Sequence, residues 1–338
     1  MPGTKERGEE IRKFILAQIE DHPRDIVRHI IKTFGISPQA ARVHLERLSS
    51  GGLLSEQGKT SDRVYALRLL VDWHKTYQLA PGIREDEILD VDVSAVLGDL
   101  QENVRSIWST AFTEMFNNVL DHALAGEATV VVRKTAVDTE MTIQDNGVGI
   151  FKKIRQALNL PDERYAAIEL SKGKFTTDPS KHSGEGIYFT SKMFDKFDIL
   201  SSGLSFSRTT DQPQWVKDMS QNGTTIWMKL TNDSTRQPKD VYDQFTEDFV
   251  FDKSTIPMKL AQVGSAGLVS RSQAKRILAG IERFKSVTLD FTGVEWIGQG
   301  FADEIFRVYR KAHPDIEILT QGANKDVARM IQRAQSAP

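Results

Sequence analysis

The sequence predicts a multidomain α+β protein made of three folded segments. Three observations lead there. The chain has 338 residues, more than one core usually organises at ~100–200 residues per domain. Residues 1–70 read as helices followed by two short strands. Two later stretches, about 93–233 and 240–338, each mix strand-like and helix-like runs and are separated by a polar interval. With 39% hydrophobic and 27% charged residues, the chain has the composition of a soluble globular protein.

Composition also excludes several classes. No stretch approaches the ~18 apolar residues that span a bilayer. The first residues, MPGTKERGEEIRKF, are charged throughout and hold no signal-peptide apolar core, so a cytoplasmic location and no membrane partner are expected. The absence of cysteine removes disulfides, thiolate zinc sites and thiol catalysis together. A net charge of −2 means that any nucleic-acid contact must come from a local basic face.

In the first segment, Ile11, Phe14, Ile15 and Ile19 recur at helical spacing, and Ile26, Val27, Ile30 and Ile31 mark a second helix ended by Gly35. A third helix starts at Pro38 with Ser37 as its N-cap and stops at Gly51-Gly52. Two short strands then flank a polar loop, 57–62. Three helices and a small hairpin form the pattern of a winged helix-turn-helix, and residues 1–70 resemble winged-helix transcriptional regulators, most visibly in "GISPQAARVHLERLSSGGLL". That resemblance implies that the third helix enters a major groove. Arg42 and Arg47 then meet DNA, His44 lies on the adjoining surface, and Lys59 and Arg63 meet backbone phosphate. Lys and Arg outnumber Asp and Glu here by 12 to 9, so a winged helix used for protein contact is the standing alternative. Residues 71–92 form a connector, read as either a solvated linker or a lead-in strand.

The second segment carries four motifs. "TEMFNNVLDHA" (113–123) places Glu114, Asn118 and His122 at i, i+4 and i+8, on one helical face. A carboxylate there can orient a water, and an amide oxygen can complete an Mg²⁺ shell. "MTIQDNGVGI" (141–150) runs a strand into Asp145, Gly147 and Gly149. A carboxylate at a strand end can accept from an exocyclic amine, and glycines let a flat base approach the backbone. "HSGEGIYF" (182–189) sets Gly184 and Gly186 before a helix-like run, and "NGTTIWMKL" (222–230) sets Thr224 and Thr225 at the start of a strand. Taken singly, each also reads plainly as a surface helix, a hairpin, a turn and a strand start.

In this order and spacing the four motifs resemble the Bergerat-fold ATP site of the GHKL superfamily, which includes gyrase, heat-shock chaperone, histidine-kinase and mismatch-repair ATPases. The resemblance covers most of 95–232 and implies an α/β sandwich that binds ATP and Mg²⁺. It makes Glu114 the general base or water-orienting residue, Asn118 the Mg²⁺ ligand and Asp145 the reader of adenine N6. Gly147 and Gly149 then flank the base, Gly184 and Gly186 open the phosphate-facing helix, and Thr224 or Thr225 helps hold the adenine. His122 falls near the phosphates. Residues 151–183 correspond to the ATP lid, from which Lys172 and Lys174 reach the γ-phosphate. His182 and Ser183 are read as closure contacts or ordinary loop residues. The compact "HSGEGIYF" box is closest in look to the anti-sigma-factor serine kinases.

In the third segment, "VTLDFTGVEWIGQGFADEIFRVY" resembles the STAS domain of anti-anti-sigma antagonists through Asp290, Phe291, Thr292, Val294 and Ile297. The phosphorylatable serine of those proteins is missing, since the run reads Gly298-Gln299-Gly300-Phe301. The whole is read as an ATP-driven regulatory switch in transcriptional or signalling control. A serine/threonine protein kinase and a non-catalytic nucleotide-sensing DNA-binding regulator are the alternatives. The expected partners are ATP, DNA through the first segment, a protein through the third, and a second copy in a homodimer.

Overall fold

The computed structural model describes residues 4–58, 62–174, 184–207, 222–247, 250–262 and 267–336. The first unit holds α1 (Thr4–Gln18), α2 (Ile26–Phe34), α3 (Pro38–Ser50) and an antiparallel hairpin of β1 (Leu54–Gln57) and β2 (Val64–Leu67). The local signals act as chemistry requires. Gly35 adopts φ 62° and its N–H caps the Ile31 carbonyl. The Ser37 hydroxyl accepts from the Ala40 N–H at 3.2 Å, which satisfies one orphan donor of α3. Ile15, Ile19, Ile26, Ile30 and Leu45 are fully buried in a core distinct from that of the rest of the chain.

The central unit is a six-stranded sheet ordered β3-β4-β5-β8-β6-β7, antiparallel at every pairing. Its strands are β3 (Val71–Gln78), β4 (Glu127–Lys134), β5 (Asp138–Asp145), β6 (Lys196–Ser201), β7 (Leu204–Ser207) and β8 (Thr224–Thr231). The sheet therefore begins inside the interval read as a connector: β3 pairs with β4 over all eight of its residues. Alternation sends Val130, Val132, Met141, Ile143, Ile226 and Met228 to one face. That face is covered by α4 (Glu102–His122), α5 (Ile150–Ala157), α6 (Glu163–Lys172) and α7 (Gly186–Met193). Against the other face stands the first unit, with a cavity of about 470 Å³ between them. There Lys229 Nζ meets Asp138 Oδ2 at 2.6 Å, Glu140 Oε1 at 3.3 Å and Glu20 Oε2, from the first unit, at 3.9 Å.

After α8 (Pro238–Phe245) the chain forms a three-stranded parallel sheet of β9 (Lys253–Pro257), β10 (Ser286–Asp290) and β11 (Glu317–Gln321), in that order. Helices α9 (Arg271–Leu278), a longer helix over 299–312 and a last one, Lys325–Gln335, cover it. The strand-like runs 287–291 and 316–319 and the helix-like runs 302–308 and 323–331 of the sequence fall in these elements. β9 and α9 complete the unit. Its core is continuous with that of the central unit, because Phe251 packs between Phe284, at 5.3 Å, and the α7 ring of Tyr188, at 4.7 Å.

Candidate functional site

The last half of α4 buries Met115, Phe116 and Val119. Glu114 is exposed and Asn118 and His122 are half-buried on the opposite side, as the one-turn spacing predicts. What lies over that stripe is the start of α7. A Cβ built on Gly186 would fall 2.0 Å from Glu114 Oε2 and 2.9 Å from its Cδ. The Glu114 carboxylate therefore rests directly on the first residue of α7, where unpaired backbone N–H groups and the helix dipole favour negative charge. Gly184 turns the chain into this helix with φ 74°. At the N-cap, burial pushes the Glu185 carboxyl up, with Lys174 pulling it back down.

A second group assembles at the strand ends. Asp145 ends β5 with 5% exposure. Its Oδ1 accepts from the Gly147 N–H at 2.8 Å. Burial raises its pKa, opposed by hydrogen bonds from the Gly147 N–H and from the Thr224 N–H and hydroxyl. Thr224 Oγ1 also accepts from Ile150 N at 3.0 Å, so one hydroxyl links the carboxylate to the first N–H of α5. Glycine is required on steric grounds at two places here. A Cβ at Gly147 would lie 2.1 Å from the Ala123 carbonyl oxygen, and one at Gly223 (φ 90°) would lie 2.0 Å from the Asp145 carbonyl oxygen. Gly149, at φ 85°, is held beside the Ser201 hydroxyl, which donates to Gly223 O at 2.9 Å. Motifs one, two and four thus meet at the C-terminal end of α4, and motifs one and three meet at Glu114. Thr225 lies on the opposite face of β8 from Thr224, paired with Gln144 and Leu200. Of the two threonines, Thr224 is the one joined to Asp145.

The basic residues are placed differently from the sequence expectation. Lys172 is fully buried. Its Nζ donates to Glu169 Oε1 at 2.6 Å and to the Ala279 carbonyl at 2.8 Å, in the third unit. Lys174 donates to Arg283 O at 3.2 Å and lies over the Phe251 and Phe284 rings. Both ammonium groups are held by the third unit instead of projecting toward Glu114. His182, Ser183 and Lys59 lie outside the described residues. Lys153, on α5, also belongs to this site: its Nζ donates to the His122 carbonyl at 2.7 Å, and burial lowers its pKa. No motif marks it, because its relation to His122 exists only once α4 and α5 pack.

In the first unit, Arg42 and Arg47 are exposed on α3. His44 is half-buried, with Gly8 and Arg12 of α1 beside it. Burial, then Arg12 and Arg47, lower its pKa, so it belongs to the α1–α3 contact and not to an open surface. Arg63 is paired with Glu56 at 3.4 Å.

Comparison with known families agrees with the two later units. Residues 104–234 match the family described as histidine kinase-, DNA gyrase B-, and HSP90-like ATPase. Residues 273–328 match a STAS-like domain of unknown function. No curated protein matches the chain. The chain therefore carries a GHKL-type ATP-binding domain followed by a STAS-like domain. Among the described residues no helix is long and apolar enough to cross a membrane, and no three His, Asp or Glu side chains cluster to hold a metal. The donor chemistry beside Glu114 fits Mg²⁺ nonetheless. Asn118 offers one amide oxygen, and Mg²⁺ ordinarily fills its shell with substrate phosphates and waters.

Proposed function

We propose that the chain is an ATP- and Mg²⁺-dependent regulatory protein that hydrolyses ATP slowly and uses the bound nucleotide to alter contacts of its terminal units. The observation that carries this reading is the Glu114 carboxylate resting on Gly186 at the start of α7. A terminal phosphate received by the N–H groups of that helix is then within reach of a carboxylate able to orient the attacking water. Asp145, buried and fixed by Gly147 and Thr224, supplies the acceptor for the adenine amine. Gly147 and Gly149 leave room for the base beside the backbone. Asn118 would hold Mg²⁺, and the ion would supply positive charge against the phosphates.

The exposed Arg42 and Arg47 on α3 support DNA contact by a winged-helix first unit. The STAS-like unit is the natural platform for a protein partner.

The test is Glu114→Gln. ATP affinity, measured by calorimetry, is expected to stay within about threefold, while turnover falls by about 10²–10⁴. Unchanged turnover sinks the assignment of Glu114. In the same assay with γ-labelled ATP, label released as free phosphate supports the ATPase, and label retained on protein shows phosphotransfer instead.

A further inference from the structure

The helix that begins with Gly186 runs directly into the third unit. Tyr188 and Phe189, one turn into α7, pack on Phe251 at ring distances of 4.7 and 4.9 Å, and Phe251 packs on Phe284. The C-terminal end of α6 is gripped by the same unit. Lys172, with no exposed surface, is closed in by Glu169 and the carbonyls of Ala279 and Arg276, at 2.8 and 3.5 Å. These carbonyls end α9, where the helix dipole favours a cation. The Lys172 carbonyl in turn accepts from the Ser254 hydroxyl at 2.6 Å. Lys174 and Arg283 exchange hydrogen bonds with each other's carbonyls, at 3.2 and 2.9 Å. Arg276 donates to the Tyr165 hydroxyl of α6 at 2.8 Å. Gly173, at φ 79°, threads between Phe251 and Tyr188, where a Cβ would meet Phe251 at 2.7 Å.

We infer that the STAS-like unit serves as an intramolecular clamp on the ATP-binding domain, gripping α6 and α7 so that nucleotide binding at Gly186 and docking of Phe251, Ser254 and residues 276–284 stabilise one another. The inference rests on the proposed nucleotide site. Its physical basis is that α7 belongs to two sites at once. Its first residue faces Glu114, and its next turn is part of the core shared with the third unit. Packed interiors transmit displacement because they hold few voids. A nucleotide that orders the start of α7 therefore also orders its contacts with Phe251. Linkage then requires reciprocity: the factor by which nucleotide strengthens docking equals the factor by which docking strengthens nucleotide binding.

The experiment uses the full-length protein and a non-hydrolysable ATP analogue with Mg²⁺. Amide exchange across 271–284 is expected to slow about fivefold or more when the analogue binds. Two variants outside the nucleotide site, Arg276→Ala at the exposed edge and Lys172→Met in the buried centre, are expected to weaken analogue binding, by up to that factor when docking is lost. If Lys172→Met does not fold, Arg276→Ala carries the test. Analogue binding with unchanged or faster exchange at 271–284, or equal affinity in wild type and Arg276→Ala, overturns the clamp while leaving the nucleotide site standing. Failure of the wild-type protein to bind the analogue overturns both.

Discussion

Gly186→Ala perturbs the junction of Glu114 and α7 by a single methyl group. Gly186 is not among the residues with positive φ, so alanine fits its backbone, and the whole effect comes from the space the new carbon needs. That carbon would sit 2.0 Å from Glu114 Oε2, whereas ordinary contact begins near 3.4 Å. The carboxylate must retreat by about 1.4 Å, the difference between those distances. It sits at the far end of a flexible side chain, so fold stability should change by no more than about 1 kcal/mol. Catalysis is far less tolerant, because a displacement of about 1 Å at a reacting group costs on the order of 10²-fold. The expected result is a chain with near-native thermal unfolding, retained nucleotide binding and turnover reduced about 100-fold. Gly147→Ala supplies the contrast. Its Cβ would lie 2.1 Å from a backbone oxygen, Ala123 O, which cannot swing aside. Stability should then fall by about 3 kcal/mol or more. Wild-type turnover in folded Gly186→Ala would refute the claim that the Glu114 carboxylate works from its position on this helix.

The other predictions concern charge. Burial holds the folded-state pKa of Asp145 above its ordinary value. Between those two values the folded chain keeps a proton that the unfolded chain has lost, so this group's contribution to stability falls as pH rises through that window. Asp145→Asn should remove that slope from urea-unfolding midpoints, and in wild type the affinity for an ATP analogue should drop as Asp145 protonates at acidic pH. Lys229→Met leaves the buried Asp138 carboxylate without its 2.6 Å partner, and should cost about 3 kcal/mol in urea unfolding. Replacing Arg42 and Arg47 together with alanine should reduce the salt slope of DNA retention by about 2, one for each lost phosphate contact. An unchanged slope would remove α3 from the DNA-contact reading.

Local chemistry was legible wherever a residue's role depends on its near neighbours. Ser37, Pro38 and Gly35 bound their helices because caps and turns are settled within a few residues. The stripe of Glu114, Asn118 and His122 followed from helical period alone. Pairing at long range was not legible. The sequence leaves 71–92 open as linker or strand because Val71–Gln78 becomes a strand only by bonding to Glu127–Lys134, some fifty residues away. Thr224 and Thr225 could not be separated until β8 had a buried face to assign.

The two lysines at the end of α6 mark the division most sharply. By itself the sequence determined that a basic Lys-Gly-Lys step precedes a glycine motif, and that four motifs stand in an order that resembles an ATP site. Tertiary structure decided where that charge goes. A lysine on a solvated segment can reach for phosphate, but α9 and Phe284 supply carbonyls and aromatic faces that hold these ammonium groups first. That choice depends on residues more than a hundred positions later in the chain, and only packing of the third unit against the second brings them there.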